Sequence, residues 1–182
     1  MRLPDRIVAE AAARQPTLGS GRLVCVDGPA GSGKTVLAAA LAYALDGAPV
    51  VHMDDLYPGW DGLGRVGTVV LDLLRPLAEG RPGSYRRYDW ARGDYAEEHR
   101  LFPGPWLVLE GVGSGGSAWA QWTTLLAWVE VSADLRLERG IRRDGEEMRP
   151  HWLRWMADEQ GHFLRDGTRG RADVHVDGTA SY

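Results

Sequence analysis

The segment Gly28-Pro29-Ala30-Gly31-Ser32-Gly33-Lys34-Thr35 constrains this chain more than any other, because it dictates a local shape and what must flank it. Its frame is G-x-x-x-x-G-K-[ST]. In that frame the glycines let successive backbone N–H groups turn inward on phosphate oxygens. The lysine reaches the same oxygens, and the Ser/Thr hydroxyl is placed to hold Mg²⁺. Of the 21 Lys and Arg residues in the chain, Lys34 is the single lysine. A compact, flexible ammonium suits this place better than a planar guanidinium fork. Before the loop, Arg22 to Asp27 is an apolar run of buried-strand length. After it, Thr35 to Leu45 is rich in alanine and leucine, as a helix should be. Strand, glycine loop and helix together mark a nucleoside-triphosphate site. Gly28, Pro29, Ala30, Gly31, Ser32, Gly33, Lys34 and Thr35 are its expected binding residues, with ATP and Mg²⁺ as its cofactors.

A chain of 182 residues suits one domain with a full core, here residues 1–182. A formal net charge of −4 argues against nucleic acid or an anionic membrane as a partner. The one cysteine, Cys25, falls in the apolar run, so no disulfide within the chain can form, which fits a reducing compartment. The N-terminus lacks a signal-type apolar core and no apolar run is long enough to cross a bilayer. The expected location is the cytoplasm.

Further along, Val50 to Met53 reads as a second buried strand, Val66 to Glu79 as a helix, and Trp106 to Glu110 as a third strand. Leu125 to Val131 reads as a fourth strand and Ala172 to Val176 as a short fifth. Helices are expected near Ile7 to Arg14, over Asp134 to Arg143 and over Pro150 to Leu164. Residues 81–105 are polar, aromatic and irregular, and an excursion over one face of the sheet is expected there. Alternation of strands and helices predicts an α/β fold: a five-stranded parallel sheet with helices on both faces, joined by right-handed crossovers. Ligand should lie across the carboxyl ends of the strands, where the loops after Asp27, Met53 and Glu110 converge.

The second informative segment is Val51-His52-Met53-Asp54-Asp55-Leu56-Tyr57. A carboxylate leaving the second strand faces the glycine loop and can accept the proton of a hydroxyl that attacks the terminal phosphate. Asp54 comes first off the strand and is the expected base; Asp55 reads as a turn or cap residue. Tyr57 and Trp60 suit the wall of a pocket for a ring-shaped substrate, although an aromatic there packs more often than it recognises. Glu110 closes the third strand at the position that acts on Mg²⁺, together with Thr35. Arg136, Arg139 and Arg143 share one face of the helix Asp134 to Arg143 and could close over a triphosphate. The alternative for this helix is an exposed face with solvent ion pairs. Residues 144–150 have the composition of a mobile lid. Eight tryptophans exceed what a small core holds, leaving a pocket wall, a face between copies in a homo-oligomer, or plain packing.

These residues resemble the uridine kinase family of P-loop nucleoside kinases, with phosphoribulokinase and pantothenate kinase as more distant relatives. Gly28 to Thr35 matches the family's loop, and Asp54-Asp55-Leu56-Tyr57 is similar to its D-S-F-Y segment, whose first Asp is the catalytic base. Tyr88-Asp89-Trp90 resembles its Y-D-F/Y nucleoside segment, and Leu109-Glu110-Gly111 its F-E-G. Asp134 to Asp144 is similar to D-x-R-L-x-R-R-I-x-R-D, which implies phosphate-facing roles for Arg139 and Arg143. Glu159, Phe163 and Ala172-Asp173-Val174 echo the family's ending. The resemblance implies catalytic roles for Asp54, Lys34, Arg139 and Arg143, and substrate contacts from Asp54, Tyr88 and Trp90, beside the wall read from Tyr57 and Trp60. On the acceptor side the chain departs: the family's base-reading histidine position holds Gly93, the nearest histidine is His99, and no F-D-x-P ribose segment is found. Trp60-Asp61-Gly62 is the substitute, with Asp61 expected to accept from a substrate hydroxyl.

The function implied is transfer of the γ-phosphate of Mg-ATP to a small-molecule hydroxyl. A nucleoside is favoured, with a sugar or pantothenate-like alcohol behind it. The rival is a nucleotide switch or hydrolase without an acceptor. A guanine-reading N-K-x-D motif is excluded, because the chain's only lysine sits in the glycine loop.

Overall fold

A computed structural model describes residues 1–180. Seven strands run in chain order: β1 Arg22–Asp27, β2 Val50–His52, β3 Gly83–Asp89, β4 Asp94–Leu101, β5 Trp106–Glu110, β6 Thr123–Glu130 and β7 Val174–Asp177. The helices are α1 Leu3–Ala13, α2 Lys34–Ala44, α3 Val66–Ala78, α4 Ala133–Asp144, α5 Arg149–Asp166 and α6 Thr168–Arg171. Five strands form one parallel sheet in the order β2-β5-β1-β6-β7. The expected α/β sheet is therefore present.

Alternation along the strands divides the interior into two slabs. Leu23, Cys25, Leu107, Leu109 and Leu126 face α3 and the aromatic residues Tyr57, Trp119 and Trp155. Val24, Val26, Val108, Leu125, Ala127 and Val129 face α1 and α2. Apolar side chains on both faces are what a parallel sheet with helices on each side requires. Cys25 is fully buried, and that burial pushes its thiol up to about 12.

Two expectations need correction. Residues 81–105 are regular: β3 and β4 pair antiparallel as a separate two-stranded ribbon. Only one face of the ribbon packs, against α3, and a register shift between Arg86 and Tyr88 interrupts the alternation that would have announced it. The second strand stops at His52, because Met53–Asp55 turns at once into a 3₁₀ helix. Within residues 144–150, Gly145 and a 3₁₀ turn, Glu146–Met148, connect the end of α4 to the start of α5. Among the described residues, no helix is long and apolar enough to cross a membrane.

Candidate active site

β1 is central in the sheet and delivers the chain directly into the glycine loop. Gly28 has φ 140°, and a β-carbon there would lie 2.0 Å from the Val129 carbonyl oxygen on β6. At Gly31, with φ 77°, it would lie 2.8 Å from the Arg136 carbonyl. Both positions therefore demand glycine. The amides of Gly31, Gly33, Lys34 and Thr35 find no acceptor among the described residues. Ser32 Oγ, sealed in the loop, likewise has no partner there. Unsatisfied donors at the N-terminus of α2, an 11-residue helix, are the condition for seating phosphate. Lys34 is buried, and its Nζ donates to the Pro29 carbonyl at 2.9 Å.

Beside the loop, register places Glu110 of β5 between Val26 of β1 and His52 of β2. Thr35 Oγ1 donates to Glu110 Oε1 at 3.2 Å, so the two expected Mg²⁺ residues meet. His52 Nδ1 lies 2.6 Å from the same oxygen, a neighbour that sequence reading missed. The bond to Glu110 raises the His52 pKa, with burial opposing it. Among the described residues no group of three or more His, Cys, Asp or Glu side chains could hold a metal. One carboxylate and one hydroxyl, completed by phosphate oxygens, is nevertheless a normal magnesium arrangement.

Asp54 follows immediately and opens into the crevice. Water reaches it, yet protein atoms crowd it on most sides. That desolvation raises its carboxyl pKa, Lys34 pulls it down, and Glu110 pushes it up again. A carboxylate shifted upward is a stronger base than an exposed one.

Asp27 is a second group that sequence reading missed. Fully buried, it accepts from Gly28 N at 2.6 Å and Gly113 N at 2.9 Å through Oδ1, and from Gly115 N at 2.8 Å through Oδ2. It thereby joins the start of the phosphate loop to the glycine turn after Glu110. Burial pushes its pKa up to about 6, against the pull of those amides.

The three arginines of α4 have different duties. Arg136 pairs with buried Glu159 of α5 at 2.5 Å and donates to the Ala30 carbonyl at 3.3 Å. Glu159 accepts from the Ala30 amide at 2.8 Å, so both polar groups of that residue are held. Arg139 donates to the carbonyls of Gly31 (3.1 Å) and Gly178 (3.2 Å), joining the loop to the segment after β7. Arg143 is held in two bonds by Asp144, at 2.7 and 2.9 Å, and lies 5.6 Å from the Trp152 ring centroid. Arg139 and Arg143 line the crevice, whereas Arg136 serves the loop's geometry.

Two cavities result. One, of about 350 Å³, runs from Gly31, Lys34 and Thr35 past Glu110 to Arg139, Gly178 and Ala180. The other, of about 480 Å³, is walled by Tyr57, Trp60, Trp90, Trp152 and Trp155, with Asp55 and Met148. Asp54 and Arg143 line both. Trp60 and Trp90, both expected as substrate contacts, line this cavity, and so do Trp152 and Trp155 of α5, two of the surplus tryptophans.

The other expected substrate residues differ in placement. Tyr57 lines the chamber but is fully buried, its hydroxyl is spent on the Val112 carbonyl, and Trp155 packs on it at 5.1 Å. Tyr88 does not line the cavity; it supports Trp90 edge-on from behind, at 5.4 Å. Asp61 does not line it; it pairs with Arg154 at 2.6 Å and borders a separate cavity with Trp60 and Leu63. His99 stacks on Tyr85 in the ribbon at 5.2 Å and does not line the cavity either.

No family model matches this chain, and no curated protein does. Solved structures match it at the level of fold. A "possible uridine kinase" from Bacillus stearothermophilus is 22% identical with a TM-score of 0.67, over 97% of this chain and all of the other. A candidate fructose transport system kinase from Silicibacter sp. TM1040 is 24% identical with a TM-score of 0.57, over 96% of this chain and 98% of the other. The YGR205w protein is 11% identical with a TM-score of 0.56, over 87% and 86%. What the chain shares with these proteins is its fold, a five-stranded parallel sheet flanked by helices.

Proposed function

We propose that this chain is a small-molecule kinase, moving the γ-phosphate of Mg-ATP to the hydroxyl of a small alcohol. The observation that carries the reading is the junction of the two cavities at Asp54. One side of that junction has the amides, lysine and hydroxyl of a phosphate loop. The other side is a walled chamber that a hydrolase or switch has no use for. Two structural neighbours bear kinase descriptions, one for uridine and one for fructose transport, which supports the class.

In this reading Lys34 and the loop amides hold the β- and γ-phosphates, and Thr35 and Glu110 hold Mg²⁺, which offsets phosphate charge when bound. Asp54 orients the acceptor hydroxyl and takes its proton. Arg139 and Arg143 face the transferring group, where positive charge lowers the barrier. Residues 144–150, whose Met148 lines the chamber, serve as the lid within a single domain. For a nucleoside, the acceptor favoured by the resemblance, the chamber wall offers no histidine or amide side chain to read a base.

The test is ADP release measured with and without a panel of alcohols. Asp54→Asn should lower acceptor-dependent turnover at least ~100-fold while nucleotide affinity stays nearly unchanged. Turnover that ignores every acceptor, or survives in Asp54→Asn, removes the reading.

A further inference from the structure

We propose that the acceptor is cationic: an alcohol bearing an amine or quaternary ammonium group beside its reacting hydroxyl. The hydroxyl half of this statement rests on the kinase reading; the cation half stands on the chamber itself.

The chamber's walls are π faces set at angles. Trp60 meets Trp90 at 5.5 Å and 73°, and Trp155 at 5.9 Å and 79°. Rings arranged this way form a corner. His151 stacks on Trp60 at 5.4 Å and Arg143 lies over Trp152 at 5.6 Å, so a ligand cation would use the remaining indole surface, which attracts cations most strongly among the aromatic side chains. Several of the wall's hydrogen-bond donors are already spent. Trp90 Nε1 donates to the Asp54 carbonyl at 2.8 Å, Trp152 Nε1 to Asp144 at 2.9 Å, and the Tyr57 hydroxyl to Val112. An anion would find few free donors there to bind its oxygens.

Charge points the same way. Three carboxylates line the chamber, Asp54, Asp55 and Asp144, against one guanidinium, Arg143, which Asp144 already holds in two bonds. Asp55 is half-buried and has no hydrogen bond or ion pair of its own among the described residues. The basic groups around it, His52, Arg87 and His99, each meet another carboxylate: His52 meets Glu110, and Arg87 and His99 meet Glu97 at 2.6 and 3.2 Å. A carboxylate kept half-desolvated without a partner costs free energy unless a ligand supplies the cation. Asp54 and Asp55 are adjacent in sequence and both line the chamber, so one can face the hydroxyl and the other the ammonium.

The experiment compares choline with its uncharged isostere, in which carbon replaces the nitrogen, by calorimetry on the intact chain. Choline should bind at least ~10-fold more tightly, on the order of a desolvated cation–π and charge contact. Asp55→Asn should erase most of the difference and Asp55→Glu should restore part of it. Equal binding of the two probes overturns the inference, and so does preference for choline that survives in Asp55→Asn. ADP release separates this from the kinase reading. Release driven by uridine or fructose, with choline no better than its isostere, leaves the kinase and removes the cation site. Tight choline binding with no alcohol-dependent release does the reverse.

Discussion

Asp27 ends β1 with its carboxylate shut away from water and three backbone amides turned onto it. Its folded pKa of about 6 stands above the ordinary carboxylate value of 3.8, so folding favours the protonated form. The stability this group contributes is therefore fully present below the unfolded value and is lost as pH climbs to about 6. That loss is on the order of 3 kcal/mol. Asp27→Ala strands three buried amides, a penalty of about 2–4 kcal/mol, and also removes the ionisation. Urea unfolding should show the variant less stable, with the gap to the native chain widest near pH 4, shrinking through pH 6 and level above it. A gap that widens with pH would contradict the assignment. In the sequence Asp27 is the last letter of an apolar run, and nothing in its neighbourhood names Gly113 and Gly115 as partners. The same reason hid His52. By contrast, Lys34, Thr35 and Glu110 were legible, because the spacing of a phosphate loop and an acid after an apolar strand are local signals.

At the scale of elements, α4 and α5 act as a clamp on the loop through Arg136, Glu159 and Ala30. Burial raises the Glu159 pKa and Arg136 opposes that rise without cancelling it. Glu159→Gln leaves the Arg136 guanidinium without its counter-charge in a nearly closed site. Removing one member of such a pair costs roughly 3–5 kcal/mol. Thermal unfolding should show that loss, and nucleotide titration should show weaker binding because Ala30 is no longer fixed. Unchanged nucleotide affinity would confine the clamp to stability. The helices themselves were readable from their spacing, although their ends moved by a residue or more. The β3–β4 ribbon was not, since its polar outer face and interrupted register imitate an irregular loop. Tyr88, named from the family's nucleoside segment, lies on that ribbon beside Trp90, and Asp61, named as a substitute for the ribose segment, pairs with Arg154.

The whole molecule follows from a sheet whose central strand feeds the glycine loop and whose neighbours bring Glu110, His52 and Asp54 to the same edge. Strand order was inferable as a class of topology, because alternating strands and helices admit few packings. The acceptor chamber was only half inferable. Trp152 and Trp155 come from a helix nearly a hundred residues beyond Trp60, and no local pattern shows that α5 folds back over the crevice.

The tether between Lys34 and the Pro29 carbonyl has a practical consequence. Since every other cationic side chain is arginine, this sheltered nitrogen is the molecule's single ε-amine. Amine-directed acylation should mark Met1 quickly and Lys34 slowly. Mass spectra of peptides from a time course, taken with and without Mg-ATP, should show occupancy slowing the second mark further. Rapid labelling indifferent to nucleotide would mean the nitrogen never meets phosphate.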